Sequence, residues 1–487
     1  MARIAGGAPL ASLEPSGDGS PLFVRLYRLV RGSILEGRLP AGARLPSTRT
    51  VARDLGLSRT TAEEAFAQLL AEGFIERRRG SGTYVAAIES ARVPLGRSLR
   101  PPGPAGPRRL AERGASMRRH ACFPEPAAPR AFAGASAAVE SFPFDVWQGL
   151  VARCLRRSGT RALGTGDPAG YGPLREEIAG YLRVFRGVSC TPDQVVITTS
   201  SQQALDLAAR LLIDPGDAAW IEEPGYPGAR AALLASGARL VPVPVDEGGL
   251  RVDLGVRRGR DARLAYVTPS HQYPLGVVLR LERRLALLDW ARSQGAWIVE
   301  DDYDSEFRYE GRPLMAIQAI DTDTRVLYVG TFTKVLFPAL RLAYAVVPKD
   351  LVGAFVTARG LLDGYAATLP QMVAAEFFAQ GHFGVHIRRM RELYRQRRDA
   401  LRQAAGAWRR AGVELGPTDA GLHAVAHLPP ASDDGAVSAR AARLGVDVQP
   451  LSRYCHGRPT APGLFLGYAA LSPAEIRRGG EILRRAL

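Results

Sequence analysis

Apolar and polar positions follow three different patterns along this chain, and each predicts a different architecture. From Pro21 to about Val85 the apolar residues recur at helical spacing. Leu22, Leu26, Leu29, Val30 and Ile34 share one helix face, which stops at Gly37, a residue suited to the left-handed turn that ends a helix. Ser47 is placed to cap a short helix from Thr48 to Leu55, Gly56 permits a tight turn, and Ser58 is placed to cap the next helix. On that helix Ala62, Ala65, Phe66, Leu69 and Leu70 form one stripe for burial. Two short β-prone runs around Gly80-Ser81-Gly82 then predict a hairpin.

The pattern breaks down from 89 to 138, where Pro, Gly, Ala and Arg dominate. Such a stretch buries too little apolar surface to offset its ordering entropy, and a linker is expected. From about Phe142 onward short apolar runs alternate with helical stripes, the signature of an α/β domain. The expected organisation is a flexible tail over 1–19, a small module over 20–88, the linker over 89–138 and a large domain over 139–487.

Composition adds charge to this picture. The net charge is +16 and the pI near 10.2, which favours a polyanionic partner because neutralised phosphates release counterions. Only two of the basic residues are lysines, Lys334 and Lys349, so an Arg-rich composition also accounts for part of the excess. Four scattered cysteines form no C-x-x-C pair, which argues against a zinc site or disulfide framework and fits a reducing cytosol. No apolar run approaches the length of a membrane span, so a cytoplasmic protein is expected.

Two capped helices about three residues apart, followed by a hairpin, are helix-turn-helix geometry with a wing. The first turn of the second helix carries Arg59, Thr60 and Thr61, and the hairpin tip carries Arg77, Arg78 and Arg79. The alternative is a packing module with a solvated charge run. The residues Leu45-Pro46-Ser47, Arg49, Leu55-Gly56-Leu57-Ser58-Arg59 and Gly80-Ser81-Gly82-Thr83-Tyr84-Val85 resemble the GntR-type winged helix-turn-helix, departing from it at Ala62, where a valine is common. The functional reading puts Arg59, Thr60 and Thr61 in the major groove, where Arg grips guanine bidentately, with the capping Ser58 counted among the DNA-binding residues. It implies Arg49 on the backbone, and Arg78, Gly80 and Gly82 of the wing on phosphates.

In the large domain four segments follow predicted strands, where ligands bind in open α/β sheets. Val195 to Thr198 leads into a helix starting near Ser201, whose N-terminus is suited to an anion. A second strand ends in Glu223-Pro224-Gly225-Tyr226, placing a tyrosine to stack on a flat ring or simply to line the surface. Trp297 to Val299 delivers Glu300, Asp301, Asp302, Tyr303 and Asp304. Crowded carboxylates at a strand end call for cations or donors, and no ligand-spaced histidine favours a metal. Val326 to Val329 leads to Gly330-Thr331-Phe332-Thr333-Lys334, with Arg341 beyond. In a chain that uses almost no lysine, a lysine here points to a primary amine that loses its proton and forms an imine.

Together these segments resemble the fold-type I pyridoxal 5'-phosphate (PLP) enzymes, the aspartate aminotransferase superfamily. The implied fold is a mixed, mostly parallel sheet flanked by helices, with a smaller α+β C-terminal subdomain. Lys334 matches the Schiff-base lysine, Asp301 the pyridine-nitrogen aspartate (Asp302 if the register slips by one) and Tyr303 the partner of the ring hydroxyl. Tyr226 matches the stacking aromatic, and Ser201, Gln202, Thr331, Thr333 and Arg341 the phosphate cup. Thr268 to Gly276 is similar to the "NPTG" loop, with Tyr273 in the Asn place, a departure from working transaminases. The superfamily's C-terminal substrate arginine falls on Arg453, with Arg458 as second choice, giving an effector-carboxylate site.

The layout of both halves, with Asp167 to Cys190 and Glu300 to Leu314, resembles the MocR regulators. That resemblance implies a homodimeric, PLP-dependent transcription regulator that binds double-stranded operator DNA. It would sense an amine, an amino acid or PLP itself through an aldimine at Lys334, with at most weak or half-reaction transamination. The rival expectations are an active aminotransferase carrying an appended DNA-binding module, and a scaffold that binds neither ligand.

Overall fold

The computed structural model describes residues 20–87, 110–119, 130–311, 314–457 and 461–487. The expected tail 1–19, most of the expected linker, and Arg458 lie outside them. The chain divides after Arg109 into two units.

The first unit runs α1 (Leu22–Leu35), β1 (Arg44–Leu45), α2 (Thr48–Asp54), α3 (Arg59–Ala71), β2 (Ile75–Arg78) and β3 (Gly82–Val85). Leu26, Val30 and Ile34 of α1 pack on Ala62, Ala65, Phe66 and Leu69 of α3, the two faces expected from their spacing. Ser47 and Ser58 cap α2 and α3, their hydroxyls accepting from Thr50 N at 3.1 Å and Thr61 N at 3.0 Å. The three strands form an antiparallel sheet in the order β1-β3-β2.

The second unit begins α4 (Glu112–Arg119), α5 (Phe144–Ser158), α6 (Gly172–Phe185), β4 (Val195–Thr198), α7 (Ser201–Leu212), β5 (Ala218–Glu223) and α8 (Pro227–Ala235). It continues β6 (Arg239–Asp246), β7 (Gly249–Leu250), α9 (Val252–Gly259), β8 (Leu264–Val267), α10 (Leu281–Gln294), β9 (Trp297–Asp302), β10 (Val326–Thr331) and β11 (Ala343–Val346). After α11 (Val352–Asp363), α12 (Thr368–Ala379) and α13 (His382–Ala405) come β12 (Glu414–Leu415), β13 (His423–His427), α14 (Asp434–Arg443), β14 (Gln449–Pro450), β15 (Gly463–Gly467) and α15 (Pro473–Ala486).

Eight of these strands form one sheet in the order β4-β11-β10-β9-β8-β5-β6-β7. The run β10 to β6 is parallel, and β11 lies antiparallel between β10 and β4. Helices cover both faces, so strand residues are buried on both sides. In β5, Ala219 and Ile221 enter the layer beneath α7 and α8, while Trp220 enters the opposite layer with α9 and α10. A second, antiparallel sheet, β12-β13-β15-β14, packs with α14 and α15 into the smaller subdomain. Among the described residues no helix is long and apolar enough to cross a membrane.

The expected linker 89–138 differs at its far end. Residues 130–138 belong to the second unit, where Phe132, Ala135, Ala137 and Ala138 are buried. Apart from Phe132 these are small residues, yet the segment buries well because its backbone docks. Phe132 takes a left-handed φ of 70° to bridge Gly467 on β15, and a side chain at Gly467 would lie 1.8 Å from Gly134 O. Arg130 anchors the start of this strap on Asp447 and Ala442 O.

Candidate cofactor pocket and nucleic-acid interface

The parallel strands bring their C-terminal ends to one cavity of about 330 Å³. Its lining includes Ser201 and Gln202 after β4, Tyr226 after β5, Tyr273 after β8, Asp301 and Tyr303 at the end of β9, and Thr331, Thr333 and Lys334 after β10. Arg341 completes the set, so all ten residues expected from the sequence to hold the cofactor share one pocket. Strand register explains why distant segments meet. Ala343 on β11 pairs with both Thr198 on β4 and Thr331 on β10, so Arg341 falls on the same edge as Ser201 and Thr333. Gly228 lets this rim close, because a side chain there would lie 2.3 Å from Gln202 Oε1 and 2.5 Å from the Tyr226 ring.

The two-residue period of β9 separates the two candidate aspartates. Asp301 shares a face with Val299 and turns to the pocket; Asp302 shares the opposite face with Ile298. There Asp302 is ion-paired to Arg186 at 2.8 Å and accepts from Tyr328 Oη at 2.5 Å. Asp301 accepts a hydrogen bond from Tyr266 Oη at 2.8 Å through one oxygen, while its other oxygen is buried with no partner. Burial pushes its carboxyl up to about 7, partly offset by the Tyr266 hydrogen bond. Lys334 Nζ donates to Ala135 O on the strap at 2.7 Å.

Sequence reasoning missed several neighbours. Tyr266, Thr268, Gln449, Tyr454, Phe465 and the strap Ala133–Ala135 also line the cavity. Of these, Tyr266 was legible only as a buried strand residue, and nothing local marks Phe465. Nor was it legible that a histidine meets the carboxylates. His271 Nδ1 lies 3.0 Å from both Asp304 Oδ2 and Tyr303 Oη, and Tyr303 Oη also donates to His271 O at 2.9 Å. With His423 these groups form a buried cluster behind the pocket.

Arg453 is a correction. It is exposed, its guanidinium donates to Gln449 Oε1 at 2.6 Å, and it is not part of the pocket lining. The short 3₁₀ turn Leu451–Tyr454 directs Tyr454, one residue further on, inward instead.

In the first unit, Arg59 and Thr60 are exposed on the first turn of α3 and Arg49 is exposed on α2. Arg59 Nε is held by Glu63 at 2.8 Å, and Thr61 and Ser58 are tied together by the cap. In the wing the Arg78 guanidinium lies over the Tyr84 ring at 4.5 Å and pairs with Glu76. Gly80 and Gly82 at the tip adopt φ of 71° and 123°, values that side chains rarely reach.

Comparison with known proteins agrees with this architecture. The family model "Aminotransferase class I and II" matches residues 135–479, and "Bacterial regulatory proteins, gntR family" matches residues 22–85. A probable rhizopine catabolism regulatory protein, MocR, of Rhizobium meliloti is 41% identical over 473 residues, covering 96% of this chain and 94% of that one. The pyridoxine biosynthesis transcriptional regulator PdxR of Corynebacterium glutamicum is 31% identical over 95% of this chain and 94% of its own. Among solved structures, the α-aminoadipate aminotransferase LysN of Thermus thermophilus, complexed with N-(5'-phosphopyridoxyl)-L-leucine, superimposes with a TM-score of 0.69. It is 30% identical and covers 78% of this chain and 95% of that one. With a GntR-type module at one end and an aminotransferase class I and II domain at the other, this chain belongs to the MocR-type transcription regulators.

Proposed function

We propose that this cytoplasmic regulator carries PLP in the pocket around Lys334 and uses it to sense a small amine, with homodimers presenting two winged modules to operator DNA. The observation that carries the reading is the buried, unpartnered oxygen of Asp301 in the same cavity as Lys334. A buried carboxylate left half-satisfied is costly, and a protonated pyridine nitrogen is the partner its position suits. The residues present therefore fit the cofactor. When bound, PLP supplies an aldehyde that condenses with primary amines and a ring that withdraws electrons.

The chain's own groups have separate tasks. Ser201, Gln202, Thr331, Thr333 and Arg341 would hold the phosphate, with the N-terminus of α7 adding its N–H groups. Tyr226 would stack on the ring, Tyr303 would turn its hydroxyl proton from His271 O to the ring hydroxyl, and Tyr266 would orient Asp301. Lys334 would exchange its bond to Ala135 O for the cofactor, placing the strap beside the reacting amine. Arg59, Thr60 and Thr61 would read bases, while Arg49 and the wing residues Arg78, Gly80 and Gly82 would lie on the backbone. A bound amine shifts the conformational equilibrium only through different affinity for the two states.

The test separates the two halves. Purified protein with PLP should show a visible absorption band, and borohydride should fix the cofactor onto Lys334, read by mass spectrometry. Lys334→Ala should lose the band and keep operator binding; Arg59→Ala should do the reverse. A Lys334→Ala protein that keeps the band overturns the assignment.

A further inference from the structure

Resting on the cofactor reading above, we propose that the amine sensed here carries no carboxylate on its amine-bearing carbon, because the effector end of the pocket is an aromatic wall. Among the described residues, positive charge reaches the lining only through Lys334 and Arg341. Lys334 is the reacting amine, and β11 register puts Arg341 on the edge shared by Ser201 and Thr333, where the phosphate is held. The opposite wall comes from the smaller subdomain: Gln449 from β14, Tyr454 from the turn after it and Phe465 from β15.

That wall is built as a unit. Tyr273 has its ring 5.6 Å from Tyr454, 5.5 Å from Phe465 and 5.5 Å from Tyr226, and Tyr454 lies 5.4 Å from Phe465. Phe465 is backed by His423, whose ring stacks on it at 4.5 Å and is held neutral by burial. Among the described residues, the group stacked behind Phe465 is therefore uncharged, and the guanidinium of Arg453 is engaged on Gln449 outside the lining. Seating a carboxylate against these rings removes its water without returning an ion pair. An apolar or aromatic body gains from the same burial, and Gln449 is left to bond a hydroxyl. Arg453, expected as the carboxylate partner, lies outside the lining with its guanidinium on Gln449.

The experiment titrates PLP-loaded full-length protein with matched pairs that differ only in the carboxylate: tyramine against tyrosine, and isobutylamine against valine. The visible spectrum should respond to at least one carboxylate-free amine at a concentration tenfold or more below its amino acid. Phe465→Arg should narrow or invert that ratio. Because Phe465 is buried, Gln449→Arg on the same wall serves as a second variant, each accepted only with the visible band and melting temperature retained. Amino acids acting as well as the amines, or neither class changing the spectrum, overturns the proposal. A protein with no visible band before any amine is added, yet still binding operator, sinks the cofactor reading instead.

Discussion

At the scale of single residues, the decisive contrast is between two adjacent aspartates. Asp302 is neutralised by Arg186, whereas Asp301 keeps an oxygen without a partner and a carboxyl pushed up to about 7 by burial. An unfolded aspartate titrates near ~3.9, so between about pH 4 and about pH 7 the folded chain holds a proton that the unfolded chain has released. Stability from this residue is therefore present at low pH and falls as pH rises through that window, then levels off. Glu222, also pushed up to about 7 by burial, acts in the same direction. For cofactor-free protein, the melting temperature of Asp301→Asn relative to the unsubstituted protein should rise by a few degrees between pH 5 and pH 7. A gap that stays constant with pH means Asp301 is already charged at pH 5. The same substitution should weaken PLP retention, read by equilibrium dialysis.

At the scale of elements, caps and periods carried most of the argument. The Ser58 hydroxyl accepts from Thr61 N at the start of α3, the helix that presents Arg59 and Thr60. Ser58→Ala should cost the first unit about 1 kcal/mol and loosen that turn. Hydrogen exchange should quicken at residues 59–62, and operator affinity should fall while the visible band stays unchanged; unaltered exchange would mean the cap contributes nothing. Helices α1 to α3 and strands β4, β9 and β10 were legible because each follows from a local rule, an apolar stripe at helical spacing, a capping serine or an unbroken apolar run. The ten residues expected to hold a cofactor could be brought to one pocket because they lie near strand ends. What escaped depends on contacts distant in sequence. Arg186, just past the end of α6, pairs with Asp302, His271 reaches Asp304 from another loop, and Phe465 matters only because β15 faces the cavity. The strap at 130–138 read as linker because its composition is poor in large apolar side chains, yet its backbone docks through Phe132 and Gly134.

At the scale of the whole molecule, sensing and DNA binding are linked only if each ligand changes the affinity for the other. Lys334 donates to Ala135 on the strap, and that strap is the first described segment of the second unit after α4, so a side chain distant in sequence is bonded to a segment that follows the DNA-binding unit along the chain. This placement argues that amine binding is felt at the linker end, through the bond between Lys334 and Ala135 O. Thermodynamic reciprocity then fixes a quantity. If the amine changes operator affinity by some factor, operator DNA must change amine affinity by the same factor, typically within about 5–150-fold. The prediction is read by titrating the visible spectrum with amine, with and without saturating operator duplex, and comparing the shift with the amine's effect on operator affinity at one salt concentration, since phosphate contacts make that affinity strongly salt-dependent. A shared factor clearly different from one means that the pocket and the winged modules are thermodynamically coupled. Amine affinity indifferent to operator DNA would make the pocket a cofactor site without regulatory consequence, and Ala135→Pro, which leaves the carbonyl oxygen but stiffens the strap, should then leave operator binding in the presence of amine unchanged as well.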